Sequence, residues 1–191
     1  MGHREDLLAG ARRCLREKGY ARTTARDIVQ ASGTNLASIG YHYGSKDALL
    51  REALFAWTGE WADEVETTIA RQVRADATRV ERFTAGWTAI ARLVGEYRRM
   101  WDATIELILH SSSDDDVRTQ FHAAIPEARR GLVAILNGVP EDEVTEEDLR
   151  VFGRLYYLLL SGLVIESTIS PDDQVSGATL AEAMQRIAED R

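Results

Sequence analysis

Within six consecutive residues the chain places a phenol, an imidazole and an ammonium, those of Tyr41, His42 and Lys46. Each can donate a hydrogen bond to an anionic oxygen. The lysine stands where a cation has no local reason to be. A helix is expected to open there, and its N-terminus already carries partial positive charge, so the ammonium gains nothing from the dipole. A phosphate, by contrast, would be drawn by the ammonium, the dipole and the free N–H groups together. Plainer roles stay open at each position: core packing for Tyr41, capping for His42, solvation for Lys46.

The elements that must hold these groups are legible upstream. Leu7, Leu8, Ala11, Cys14 and Leu15 form one apolar stripe at helical spacing, with Arg12, Arg13, Arg16 and Glu17 on the other faces. That helix should stop at Gly19 in a left-handed conformation, with Leu15 and Tyr20 as the hydrophobic pair of a Schellman motif. Thr24 and Asp27 have the spacing of a capping box that opens a second helix, which ends near Ser32-Gly33. Asn35 should cap a short third helix, 36–43, and Ser45 a long fourth one. Two short helices around a glycine turn make a helix-turn-helix, whose second member enters the major groove of DNA. Base reading then falls to Asn35, Leu36, Ala37 and Ser38, because phosphate contacts position a protein without reading sequence. This surface is poor in donors, so Leu36 and Ala37 against thymine methyls, together with DNA shape, should carry much of the specificity. Tyr43 is expected in the core.

The run from Gly33 to Leu50, with Gly19-Tyr20 and Thr23-Thr24-Ala25-Arg26-Asp27-Ile28 before it and Tyr41-His42-Tyr43-Gly44-Ser45-Lys46 within it, resembles the TetR family of transcriptional regulators. The resemblance is confined to about the first quarter of the chain. It implies phosphate contacts from Tyr41, His42, Lys46 and Thr24, and a homodimer on a palindromic DNA operator. It also implies a divergent helical body that binds a small-molecule effector, most often to relieve repression. The sequence departs from the commoner pattern at Gly40, where a tyrosine often contacts the groove. Glycine there costs the helix up to about 1 kcal/mol relative to alanine. Either it admits the backbone closer to DNA or it is drift.

Charge is divided unevenly along the 191 residues. Residues 1–47 hold eight Lys/Arg against five acids, net +3, and the remainder holds 15 against 26, net −11, which together give the formal −8. A basic head facing a polyanion and an acidic body held away from it fit that division. Further helices are predicted over 45–73, 78–97, 99–110, 116–136, 145–169 and 178–189, so the fold class is all-α with about nine helices. The expected domains are 1–47, the DNA-binding head, and 48–191, the effector-binding and dimerisation body. Residues 155–165 are apolar almost all round, and Tyr156, Leu159, Gly162 and Leu163 are assigned to a two-fold dimer interface. Trp57, Trp61, Phe83, Trp87, Tyr97, Trp101 and Phe121 either fill the core or line an effector pocket for an apolar, ring-containing molecule. That molecule could be cationic, given Glu60, Glu64, Asp102 and Glu106 nearby.

The single cysteine and the lack of any 18-residue apolar run indicate a cytoplasmic chain without a membrane partner. No cofactor, metal site or catalytic residue is expected. His3, His42, His110 and His122 are scattered, and neither a phosphate loop nor a nucleophile elbow occurs. A small helical enzyme and a helical interaction protein without DNA binding are the rival classes. For the enzyme, Glu106 and His110, one turn apart, are the strongest pair. The acidic run Asp114 to Asp116 reads as a solvated loop.

Overall fold

The computed structural model describes residues 2–74, 76–111, 115–172 and 175–189, and those residues hold helices and no strand. In chain order they are α1 (His3–Lys18), α2 (Ala25–Ser32), α3 (Leu36–Tyr43), α4 (Lys46–Gln72), α5 (Arg79–Glu96), α6 (Arg98–Ser111) and α7 (Asp115–Asn137), followed by α8 (Glu146–Asp148), α9 (Arg154–Ile169) and α10 (Gly177–Glu189). A single π turn, Leu149–Gly153, joins α8 to α9 with helical backbone on both sides, so the three run as one rod. Nine rods result among the described residues, and the all-α reading holds. Asp114 and the side chains of His110 and Asp116 lie outside the described residues.

Local rules set most of these boundaries. At Thr24 both halves of the capping box form: the Asp27 N–H donates to the Thr24 hydroxyl oxygen, and the Thr24 N–H donates to the Asp27 carboxylate. Asn35 accepts the Ser38 N–H at 3.1 Å, and Ser45 accepts the Ala48 N–H at 3.0 Å. The Schellman stop expected at Gly19 is not there. Gly19 has positive φ but extended ψ (80°, 177°), and its N–H simply continues the helical ladder to the Leu15 carbonyl. The left-handed stop sits one helix later, at Gly33 (69°, 21°), where the Thr34 N–H reaches back to the Val29 carbonyl at 3.2 Å.

The chain divides into two compact units. One takes the residues up to Trp61 together with Tyr97–Arg118; the other takes Ala62–Glu96 and Thr119–Arg191. In the first, Leu7, Leu15, Ile28, Ile39, Leu49, Leu50 and Leu107 are buried, as is Cys14, whose thiol burial pushes up in pKa. In the second, Trp87, Ile90, Leu93, Val133 and Tyr156 form the core. Tyr156 donates to Asn137 Oδ1 at 2.9 Å, and burial pushes its phenol up to about 12.

Two glycines in the second unit differ in what surrounds them. At Gly177, where α10 meets α5, an added Cβ would lie 2.3 Å from the Thr84 carbonyl oxygen and 2.5 Å from the Thr88 nitrogen. At Gly131, inside α7, an added Cβ meets nothing within 4 Å. Gly177→Ala should therefore cost about 1–3 kcal/mol through overpacking. Gly131→Ala should gain up to about 1 kcal/mol of helix propensity. Urea denaturation of the two variants checks this, and shifts of the same sign would contradict it.

Candidate nucleic-acid interface

The first unit builds its outward surface from α3. This helix packs on α1 and α2 through the buried Ile39, which leaves Leu36 (53% exposed), Ala37, Gly40 and Tyr41 (85% exposed) facing solvent. Tyr41 touches the His42 ring edge to face, with centroids 4.8 Å apart. An aromatic residue this exposed contributes little to packing, which removes the core role left open for Tyr41.

The remaining predicted contacts are partly occupied already. The Lys46 ammonium lies 3.4 Å from the Thr23 carbonyl and 2.9 Å from Asp47, and its side chain is 32% exposed. It thereby ties the start of α4 to the residue before the Thr24 cap while keeping donors near the surface. Asn35 spends its carbonyl oxygen on the Ser38 N–H, so it caps α3 rather than offering that acceptor to a base. The Thr24 hydroxyl donates to Asp27 at 2.7 Å. Ser38 Oγ sits 3.5 Å from His3 Nδ1, which brings the start of α1 beside the start of α3. His3 was missed as a neighbour of this surface, because only the tertiary packing of α1 against α3 brings it there. Tyr43 is half-buried rather than core: its phenol, raised in pKa chiefly by burial, donates to the Arg4 carbonyl at 2.7 Å beneath the Arg4 guanidinium.

The basic balance of the head needs correction on the same grounds. Arg4 pairs with Glu52, Arg12 and Arg16 pair with Glu60, and Lys18 pairs with Asp27. Arg16 also lies over the Trp57 ring, 5.1 Å from its centroid. Much of the +3 counted along the sequence is thus spent joining α1 to α4 and α2, while Arg22 and Arg26 remain as exposed cations and the exposed Arg13 donates to the Ala31 carbonyl.

The tetR family of bacterial regulatory proteins matches residues 7–53, which take in α1 to α3 and the start of α4. Over this stretch the chain is similar to that family. The repressor AcnR of Corynebacterium efficiens is 41% identical over 46 residues, which is 24% of this chain and 24% of that repressor, so the chain matches about a quarter of its curated relative's length. Over the whole chain the likeness is structural. A transcriptional regulator of Streptomyces coelicolor A3(2) is 25% identical with a TM-score of 0.63 over 97% of both chains. AibR, solved with isovaleryl coenzyme A and operator DNA, is 19% identical with a TM-score of 0.52 over 96% of both.

The seven aromatic residues assigned to one effector pocket fall into separate units. Trp57, Trp61, Tyr97 and Trp101 belong to the first, Phe83, Trp87 and Phe121 to the second. Trp57, Trp61, Trp101, Phe83 and Trp87 are buried; Tyr97 and Phe121 are half-buried. Trp61 and Trp101 pack edge to face, with centroids 4.9 Å apart, and Phe83, Trp87 and Tyr156 form a second ring cluster. The indole N–H groups of Trp61, Trp87 and Trp101 have no hydrogen-bond acceptor. Of the four acids expected to attract a cation, Glu60 pairs with Arg12 and Arg16, Glu106 accepts the Ala21 N–H at 2.9 Å and Asp102 lies 4.0 Å from Arg98, while Glu64 is exposed. Among the described residues no group of three potential ligands could hold a metal, and no helix is long and apolar enough to cross a membrane.

The four residues assigned to a dimer interface differ in exposure along α9. Tyr156 and Leu163 point into their own unit's core, Leu159 is half-buried, and Gly162 is exposed. The apolar residues left outside are Leu158 (68% exposed), Ile165 and Ile169 on α9, with Met184 and Ile187 on α10.

The Asp27 carboxyl is held well below its usual range, first by the Lys18 hydrogen bond and then by Thr24. Its contribution is complete above the unfolded carboxylate value, about pH 4, and is lost as pH falls through the lower folded value. The stability difference between wild type and Asp27→Ala should therefore be constant from about pH 5 to 7 and shrink below about pH 4. Hydrogen exchange within α2 would show it; a difference that widens toward acid would contradict the capping role.

Proposed function

We propose that the chain is a ligand-responsive transcriptional repressor that binds a palindromic operator as a homodimer in the cytoplasm. A small effector that binds the helical body releases it. The observation that carries this reading is the outward face of α3, with Leu36 and Tyr41 exposed beside Lys46, inside a stretch of TetR-family sequence. Tyr41, His42 and Lys46 hold phosphates, and Leu36, Ala37 and Ser38 face the bases; Thr24 and Asn35 act mainly as caps that hold α2 and α3 in register. AibR's complex with an acyl coenzyme A and DNA supports ligand response in this fold. AcnR's name as a repressor supports repression.

The dimer forms through the exposed apolar faces of α9 and α10, centred on Leu158, Gly162, Ile165, Met184 and Ile187. A Cβ added at Gly162 would meet nothing within 4 Å, which leaves room for a second backbone to approach. Sedimentation at micromolar concentration should give a species of twice the 21.3 kDa chain, and Leu158→Glu should yield monomer. A monomeric wild type would refute the dimer.

Genomic DNA captured on the protein and sequenced would supply the operator. With it in hand, Lys46→Ala and Tyr41→Ala should weaken operator and non-operator binding together, each reducing the salt slope by about one unit. An unchanged slope with altered sequence preference would assign these residues to bases instead. Failure of the wild type to retain any DNA would favour the enzyme or interaction-protein class.

A further inference from the structure

His3, on the first turn of α1, is exposed, and its Nδ1 lies 3.5 Å from Ser38 Oγ. Ser38 belongs to the stretch of α3 that the reading above turns toward the bases, so the imidazole stands at the edge of the same surface. Most protein hydrogen bonds to DNA go to the sugar-phosphate backbone that borders the groove. This end of α1 is fixed against α3 and α4 by Arg4, whose carbonyl accepts the Tyr43 phenol and whose guanidinium pairs with Glu52. The ring of His3 is left outside those contacts.

A neutral imidazole has a single N–H, whereas the imidazolium has two. Only the charged form can donate from Nδ1 to Ser38 and from Nε2 to a phosphate at the same time. Imidazole is also the side chain whose ordinary charge change falls between about pH 5 and 8, and neighbouring anions favour its charged form.

The charges around His3 give the proton its weight. On its own turn Glu5 is exposed and Asp6 half-buried, while Arg4 is spent on Glu52 of α4. Lys46 and Asp47 of α4 pair with each other. α3 carries no acid, and its titratable groups are Tyr41, His42 and Tyr43. Asp27 of α2 and Arg99 of α6 meet α1 at its opposite end, at Lys18 and at the carbonyls of Arg16 and Glu17. With His3 neutral, Glu5 and Asp6 therefore leave this turn repelling a phosphate backbone. A proton on His3 offsets them on the side beside α3.

We propose that His3 contacts the DNA backbone as an imidazolium, so that operator binding takes up a proton at the start of α1. The inference rests on the DNA-binding reading above and extends its interface from α3 to α1. Because the DNA-bound protein holds the proton more firmly, affinity rises as pH falls, by up to about tenfold per pH unit for each proton taken up.

The test is anisotropy titration of the full chain against two labelled duplexes, the captured operator and a random sequence, at about pH 6 and about pH 8. Wild type should bind both at least about fivefold more tightly at the lower pH, with a salt slope steeper by about one unit per subunit. His42→Gln should keep most of that gain. His3→Gln, whose amide can still hydrogen-bond to Ser38, should lose at least half of it on a logarithmic scale while its thermal midpoint is unchanged. His3→Lys, a permanent cation, should bind at the higher pH as wild type does at the lower. A wild type whose affinity ignores pH, or a His3→Gln variant that keeps more than half of the gain, overturns the proposal and leaves the regulator intact. Failure of the wild type to bind either duplex at both pH values overturns the DNA-binding reading as well.

Discussion

The ion pair between Arg12 on α1 and Glu60 on α4 lies where the head is joined to the long helix that follows it. Arg12 is three-quarters withdrawn from solvent at its side chain, and burial lowers its pKa, so the pair is not one of the screened surface contacts that contribute little. Removing Glu60 would leave the partly buried Arg12 charge uncompensated, which costs more than the intact pair contributes. Arg16 shares the same carboxylate and lies over Trp57, while Arg4 meets Glu52 two turns earlier on α4. Together these contacts align α1 along the first half of α4. The orientation of α3 follows, because α3 is held between α1, α2 and the start of α4 at Lys46. The exposure of Tyr41 is therefore a remote result of charges that never meet the surface α3 presents.

α6 reinforces the arrangement from a distant part of the sequence. Arg99 donates to the carbonyls of Arg16 and Glu17 at 3.3 and 3.4 Å, where the negative end of the α1 dipole favours a cation. Glu106 accepts the Ala21 N–H in the turn that follows. The first unit thus includes a helix that a boundary drawn at residue 47 would place with the body, and no local pattern announces it. Arg99 and Glu106 look like ordinary solvated charges until the chain folds back.

What could be read along the sequence was what local chemistry decides. Thr24 with Asp27, Asn35 with Ser38 and Ser45 with Ala48 are contacts within one turn, so the caps and the helix-turn-helix followed from residue type and spacing. Gly19 misled because the glycine, the apolar pair and the helix end are all present, yet the chain leaves in an extended direction. The aromatic residues misled for a tertiary reason: Trp57 and Trp87 have equivalent patterns, and only the packing of whole helices puts them in different units. The inward turn of Tyr156 depends on Phe83, Trp87 and Asn137, each far from it in sequence.

Cys14 is the only cysteine in the chain, and it is buried in the first unit as part of the stripe that α1 turns inward. Its thiol is shielded from reagent and disfavoured as thiolate for as long as that unit stays closed. Alkylation therefore reports how readily this part of the protein opens and is blind to motion elsewhere. The molecule carries a built-in clock for its own head, readable by mass without a label. Any bound species that tightens the first unit slows that clock, whichever part of the chain it touches.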